Sequence, residues 1–113
     1  MKKVQFEPEL TAHEALLKIA QAATPMLEEE IGEPAARVEA KWGYREHRPG
    51  YPLIRLQISD PFGEASGEFS LDELQPPERA RRRFYRLWGD LLQGVARRQV
   101  EVLQTIGADR ADQ

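Results

Sequence analysis

Residues 37–69 read RVEAKWGYREHRPGYPLIRLQISDPFGEASGEF and contain three segments with strand periodicity separated by two turn sequences. Polar and apolar side chains alternate in 37–44, in 53–59 and in 64–69, which is the period of a strand with one packed and one wet face. Between them, Pro49-Gly50 suits a type II turn and Asp60-Pro61-Phe62-Gly63 a type I turn. Short turns join antiparallel neighbours, so this stretch predicts a three-stranded antiparallel meander.

An amphipathic helix is expected before the meander. Thr11 and Glu14 match the capping box that opens many helices. Apolar residues then recur at steps of three and four up to Ile31, and Gly32 supplies a stop. Pro25 interrupts the pattern and predicts a kink or a second short helix.

A long amphipathic helix is expected after the meander. Ser70 and Glu73 form a second capping-box match, which predicts a single helical turn before the prolines at 76 and 77. From Pro77 to Ile106, one half of the helical wheel is apolar, and Gly89 and Gly94 indicate either close packing or a bend. The fold class is therefore α+β in the order α-β-β-β-α, as one domain over 1–113, with 1–10 and 108–113 loosely ordered.

The composition restricts the class of protein. The chain has 113 residues, 41% of them hydrophobic and 31% charged, and no cysteine, which fits a globular domain without disulfides or thiolate metal sites. Its basic start reaches Glu7 and Pro8 before any apolar run, unlike a signal peptide, and no stretch approaches a membrane span. We expect a cytoplasmic protein with no membrane association.

The apolar stripe of the last helix is longer than the sheet can cover. A helix from Pro77 to Ile106 would measure about 45 Å, whereas the longest predicted strand spans at most about 33 Å. A second copy of the chain would hide the excess, so we expect a homodimer. The expected dimer or partner interface comprises Trp88, Leu91, Leu92, Val95, Val102, Leu103 and Ile106.

Arginines are concentrated on the same helix. Residues 78–98 hold seven arginines and two acidic residues, although the chain as a whole carries a net charge of −3. Such a face can bind phosphates, or it can neutralise acidic residues of this chain or of a partner subunit. The possible anion or nucleic-acid face comprises Arg79, Arg82, Arg83, Arg86 and Arg97.

The element order helix–strand–strand–strand–helix resembles that of the double-stranded-RNA-binding domain, which lays the start of its last helix on phosphates. The resemblance implies RNA binding through the arginine-rich face. In that family the approach to the last helix is short, lysine-rich and contains glycine. Here residues 70–81 are acidic at their start and contain two prolines.

Catalytic and metal-binding patterns are weak. His13 and His47 have no spacing that indicates a shared metal, and Glu64 and Glu68 on one strand face would lie about 13 Å apart, too far to cooperate. With Asp60 they are the only candidates for a hard cation, and a solvated sheet face explains them as well. We therefore expect no cofactor and no enzymatic activity. The sequence favours a protein-interaction module, a small homodimeric adaptor or assembly factor, with nucleic-acid binding as the alternative.

Overall fold

The computed structural model describes residues 1–94. Four strands form one mixed sheet in the order β1-β2-β3-β4: β1 (Lys3–Phe6), β2 (Glu39–Arg48), β3 (Tyr51–Asp60) and β4 (Gly63–Ser70). The helices are α1 (Pro8–Thr11), α2 (Glu14–Ile31), α3 (Leu71–Leu74) and α4, described over residues 81–94. Short 3₁₀ turns lie at Glu33–Arg37 and Pro77–Ala80. The α+β class is thus confirmed.

The meander forms as its turn chemistry predicts. β2 pairs antiparallel with β3, and β3 with β4, with Trp42, Leu56 and Gly67 side by side across the three strands. Gly50 has a φ of 82°, which the type II turn requires at that position. Asp60 Oδ1 accepts hydrogen bonds from the amides of Phe62 and Gly63, which closes the second turn.

The sheet has one strand more than the sequence predicts. Residues 1–10 were expected to be loosely ordered, but Lys3–Phe6 forms β1, which pairs parallel to the start of β2. Val4 and Phe6 pack against the core while Lys3 and Gln5 are exposed. A parallel partner requires a long crossover, here made by α1 and α2, so no turn sequence announces it. The added strand also departs from the order that resembles the double-stranded-RNA-binding domain.

The start of the N-terminal helix differs from the prediction. The first turn, α1, is opened by Pro8, and the Thr11 hydroxyl donates back to the Pro8 carbonyl instead of capping α2. α2 begins at Glu14 and continues through Pro25 to Ile31 as one helix. Gly32, with a φ of 80°, ends it as predicted.

The core lies between one face of the sheet and the two long helices. α2 buries Leu16, Ala20, Ala23, Leu27 and Ile31, and α4 buries Phe84, Leu87 and Leu91. Trp42 is fully buried between these helices and makes an edge contact with Phe84 at 6.4 Å between ring centroids. The other face of the sheet carries polar side chains, as its alternating pattern predicts.

Candidate functional site

An apolar groove opens at the end of the sheet where β2 begins and β3 turns into β4. Three parts of the chain meet there: the 3₁₀ turn before β2, the Pro61-Phe62 turn, and the second half of α4. The groove measures about 620 Å³. We call it the Trp88 groove; its apolar lining is Pro34, Ala36, Val38, Pro61, Phe62, Trp88 and Leu92, and its charged rim is Lys2, Arg37 and Asp60.

Large apolar side chains reach solvent in the Trp88 groove. Phe62 is 66% exposed and Leu92 is 47% exposed. Their neighbour Leu91 is fully buried against the core. α4 therefore buries Leu91 against the core and presents Leu92 to solvent on its adjoining face. Contiguous exposed apolar surface of this kind is typical of interaction sites.

The expected interface residues are divided by the structure. Trp88 and Leu92 lie together in the Trp88 groove. Leu91 belongs to the interior, so it is not available to a partner. Val95, Val102, Leu103 and Ile106 lie outside the described residues.

Arg83 of the expected anion-binding face and its neighbour Arg81 are held by acidic residues of the chain itself. Arg81 lies 3.0 Å from Glu30 and 3.6 Å from Glu29, so it joins the start of α4 to the acidic end of α2. Arg83 lies 2.6 Å from Glu73 and stacks over the Phe69 ring at 4.1 Å. These contacts match the predicted role of neutralising acidic residues of the same chain.

Arg79 is bound less tightly than these two. Its guanidinium donates to the Asp72 carbonyl at 3.4 Å. It therefore stays at the junction between α3 and the 3₁₀ turn.

Glu73 contacts both Ser70 and Arg83. Its carboxylate accepts a hydrogen bond from the Ser70 amide at 2.9 Å, which completes the predicted capping box. Partial burial raises the pKa of Glu73, but the Ser70 hydrogen bond and the Arg83 guanidinium together outweigh it and hold the pKa below its ordinary value.

Arg82 and Arg86 form the part of the arginine-rich face that remains. They flank Tyr85, which is 65% exposed, beside a shallow depression of about 540 Å³ that also includes Glu30, Gly89 and Asp90. Neither arginine forms an ion pair with a residue in 1–94. Arg97 lies outside the described residues.

Asp60, Glu64 and Glu68, the candidates for a hard cation, each have another partner. Asp60 is occupied by its turn, Glu64 accepts from Gln57 Nε2 at 2.7 Å, and Glu68 lies 2.9 Å from Arg45 Nε. Within residues 1–94 no three histidine, aspartate or glutamate side chains are grouped so as to hold a metal ion.

The two histidines lie in different surroundings. The His13 ring packs on Tyr44 at 4.7 Å between centroids, at the start of α2. His47 is exposed near the end of β2.

Comparisons with protein-family models, with curated proteins and with solved structures give no match for this chain. In the part of the chain that the structure describes, none of the helices has the length and apolar character needed to cross a membrane.

The sequence predicted the residues of one wall of the Trp88 groove but not those of the opposite wall. The helical stripe predicted Trp88 and Leu92. The opposite wall comes from Pro34, Ala36 and Val38, whose position depends on the parallel pairing of β1 with β2. That pairing places Lys2 beside Val38, whose carbonyl accepts from the Lys2 amide at 2.9 Å. The alternation of residues 3–6 is the signal that could have revealed it.

Proposed function

We propose that this protein is a non-enzymatic protein-interaction module, a small homodimeric adaptor or assembly factor, and that the Trp88 groove is the centre of its subunit contact. The observation that carries the proposal is the exposure of Leu92 directly beside buried Leu91. Leu92 is half exposed in the single chain, so its side chain becomes buried only if another surface covers the groove. Full burial of one such leucine contributes roughly 1.5–3 kcal/mol.

The occupant we propose for the groove is a second copy of the chain. The apolar positions of the helical wheel continue in the sequence beyond Leu92 through Val95, Val102, Leu103 and Ile106. Within the described residues, α4 lines the Trp88 groove at the end of the sheet, and these apolar positions follow it in the sequence. The apolar stripe of one copy can therefore fill the groove of another copy.

A twofold arrangement uses both surfaces twice. In an isologous contact, the stripe of one protomer enters the groove of its partner and the reverse contact forms by symmetry. A stable interface buries about 800 Å² on each partner. The groove with two exposed apolar side chains supplies only part of that area, and the stripe would supply the remainder.

The test is the molar mass in solution, measured by size exclusion with light scattering. The protein should elute near twice 12.9 kDa. Leu92→Asp should elute as a monomer, because a carboxylate in the groove would lose its hydration. Tyr85→Asp is the matched control: it changes a similarly exposed side chain on α4 outside the groove, and it should remain dimeric. A monomeric parent protein, or a Leu92→Asp variant as dimeric as the control, would refute the proposal.

Nucleic-acid binding is the alternative, and one observation favours it: Arg82 and Arg86 are exposed four residues apart without an ion pair to the described residues. A phosphate backbone would bind such a pair in a salt-dependent manner. Retention of RNA that falls with added salt and is lost in Arg82→Glu plus Arg86→Glu would support it. Lys18→Glu plus Lys41→Glu, at two exposed positions elsewhere, is the control of equal charge change.

The engagement of Arg81 and Arg83 by carboxylates supports the adaptor over this alternative. A nucleic acid would have to compete with Glu30 and Glu73 for these two guanidiniums. It would also approach a chain of net negative charge.

A further inference from the structure

Within residues 1–94, β4 is an edge strand with no other strand paired on its outer side. The described sheet ends at β1 on one side and at β4 on the other. β1 is short and carries Lys3, two features that protect an edge from pairing. β4 has eight residues, contains neither proline nor lysine, and pairs with β3 in an unbroken register from Gly63 to Ser70.

The backbone of β4 offers hydrogen-bonding groups along this edge. The Ser70 amide donates to Glu73, not to β3. Because N–H directions alternate along an antiparallel strand, the amides of Glu64, Ser66 and Glu68 point to the same side as that of Ser70. No backbone hydrogen bond from another part of the described chain reaches these three residues. An extended peptide laid against β4 would satisfy them as an added strand.

The charges beside this edge select the partner. On the solvent face, β4 presents Glu64 and Glu68 and no basic side chain. Arg45 of β2 already pairs with Glu68, whereas Glu64 accepts from the neutral Gln57 amide and has no cationic partner within residues 1–94. We propose that β4 binds an extended segment of another protein in which basic side chains alternate with apolar ones. One basic side chain would lie beside Glu64, and a second would share Glu68 with Arg45. The apolar side chains would face the helical layer, where Arg83 stacks on the Phe69 ring. Opposite charges on neighbouring strands stabilise a pair, whereas like charges destabilise it.

A second copy of β4 fits this edge poorly. In the register that sets Ser66 opposite its own copy, Glu64 of each strand lies opposite Glu68 of the other, which brings like charges together. The next register sets Glu64 opposite Ser70 and needs the Ser70 amide, which Glu73 already occupies. The edge therefore favours a different chain over self-pairing.

This inference rests on the proposed role as an interaction module but not on dimerisation. The groove would join two copies of the chain, and the β4 edge would bind the extended segment of another protein. A monomeric Leu92→Asp variant that still binds a basic, extended peptide would show that the β4 edge acts independently of dimerisation.

The probe is a capped synthetic peptide of alternating lysine and valine, with a glutamate–valine peptide as the charge control. Fluorescence anisotropy gives the affinity, and hydrogen exchange reports on the amides of Glu64, Ser66 and Glu68. We expect the lysine peptide to bind and to protect these amides, and the glutamate peptide not to bind. Ser66→Pro removes one outward donor at an edge position that tolerates proline, and it should weaken binding by about tenfold or more. Ser66→Ala keeps the donor and should bind like the parent protein.

A second variant covers the case in which Ser66→Pro disturbs the fold. Glu64→Lys plus Glu68→Lys leaves the backbone unchanged and should reverse the preference toward the glutamate peptide. The proposal is overturned if the lysine peptide does not bind, or if it binds without protecting the β4 amides. It is also overturned if the free protein already protects them in a dimer that Ser66→Pro dissociates, because the occupant would then be a second copy.

Discussion

The indole Nε1–H of Trp42 donates to the Thr24 hydroxyl at 3.1 Å, and that hydroxyl donates in turn to the Ala20 carbonyl at 2.9 Å. β2 is thereby joined to the middle of α2 by a side chain that is completely buried. The contact lies directly before Pro25, where the helix lacks one backbone donor. One hydroxyl thus accepts from the buried indole N–H and donates to a carbonyl of α2.

Thr24→Val should destabilise the protein by about 1–3 kcal/mol, because it leaves the buried Trp42 N–H without an acceptor. Thr24→Ser keeps the hydroxyl and should cost clearly less. Urea unfolding followed by tryptophan fluorescence gives both values. A loss of stability in Thr24→Ser with none in Thr24→Val would mean that the methyl group, not the hydrogen bond, matters at this position.

Glu73 should make stability depend on acid pH. Its pKa is lowered in the folded protein, so its contribution is present above the pKa of an unfolded glutamate and is lost as the pH falls through the folded value. Between about pH 5 and pH 3, the parent protein should therefore lose stability more steeply than Glu73→Gln.

Urea midpoints across that pH range measure the effect. Glu78→Gln is the control, since Glu78 is an exposed carboxylate nearby that has no ion pair within residues 1–94. If the parent protein and Glu73→Gln have parallel pH profiles, the Ser70–Glu73–Arg83 arrangement does not contribute to stability in solution.

Two glycines should respond to alanine in opposite directions. Gly50 needs a positive φ for its turn, so Gly50→Ala should destabilise the protein by about 1 kcal/mol. Gly89 lies within α4, and a Cβ there would have no described atom within 4 Å. Gly89→Ala should stabilise the protein by about 1 kcal/mol through helix propensity alone.

Thermal unfolding of both variants tests this difference. A destabilising Gly89→Ala would indicate a close approach at that position, such as a partner subunit or a bend. The sequence indicates either close packing or a bend at Gly89, and the described residues make no close contact there.

The local parts of this fold were accessible from the sequence because their causes are local. The turns at Pro49-Gly50 and at Asp60 fix their hairpins through residue types with defined backbone preferences, and the Ser70–Glu73 capping box forms as predicted. The stripe that buries Phe84 and Leu87 follows from helical spacing.

The parts that were missed depend on contacts between distant residues. β1 is a short strand, and its partner at Glu39–Trp42 lies more than thirty residues away. Thr11 matches a capping box in sequence, but a helical turn begins at Pro8, and the Thr11 hydroxyl donates to the Pro8 carbonyl instead of capping α2. One wall of the Trp88 groove was missed for the same reason, because Pro34 and Val38 lie at least fifty residues before Trp88 and meet it only through the tertiary fold.

The most direct test of the central claim is an isotope-filtered NOE measurement on a dimer that mixes labelled and unlabelled chains, which detects only contacts between copies. The proposed dimer predicts intermolecular NOEs from the Trp88 ring and the Leu92 methyl groups of one protomer to apolar side chains of its partner. A dimer without intermolecular NOEs from either residue, or a mixture that stays monomeric at the concentrations used, would contradict the claim.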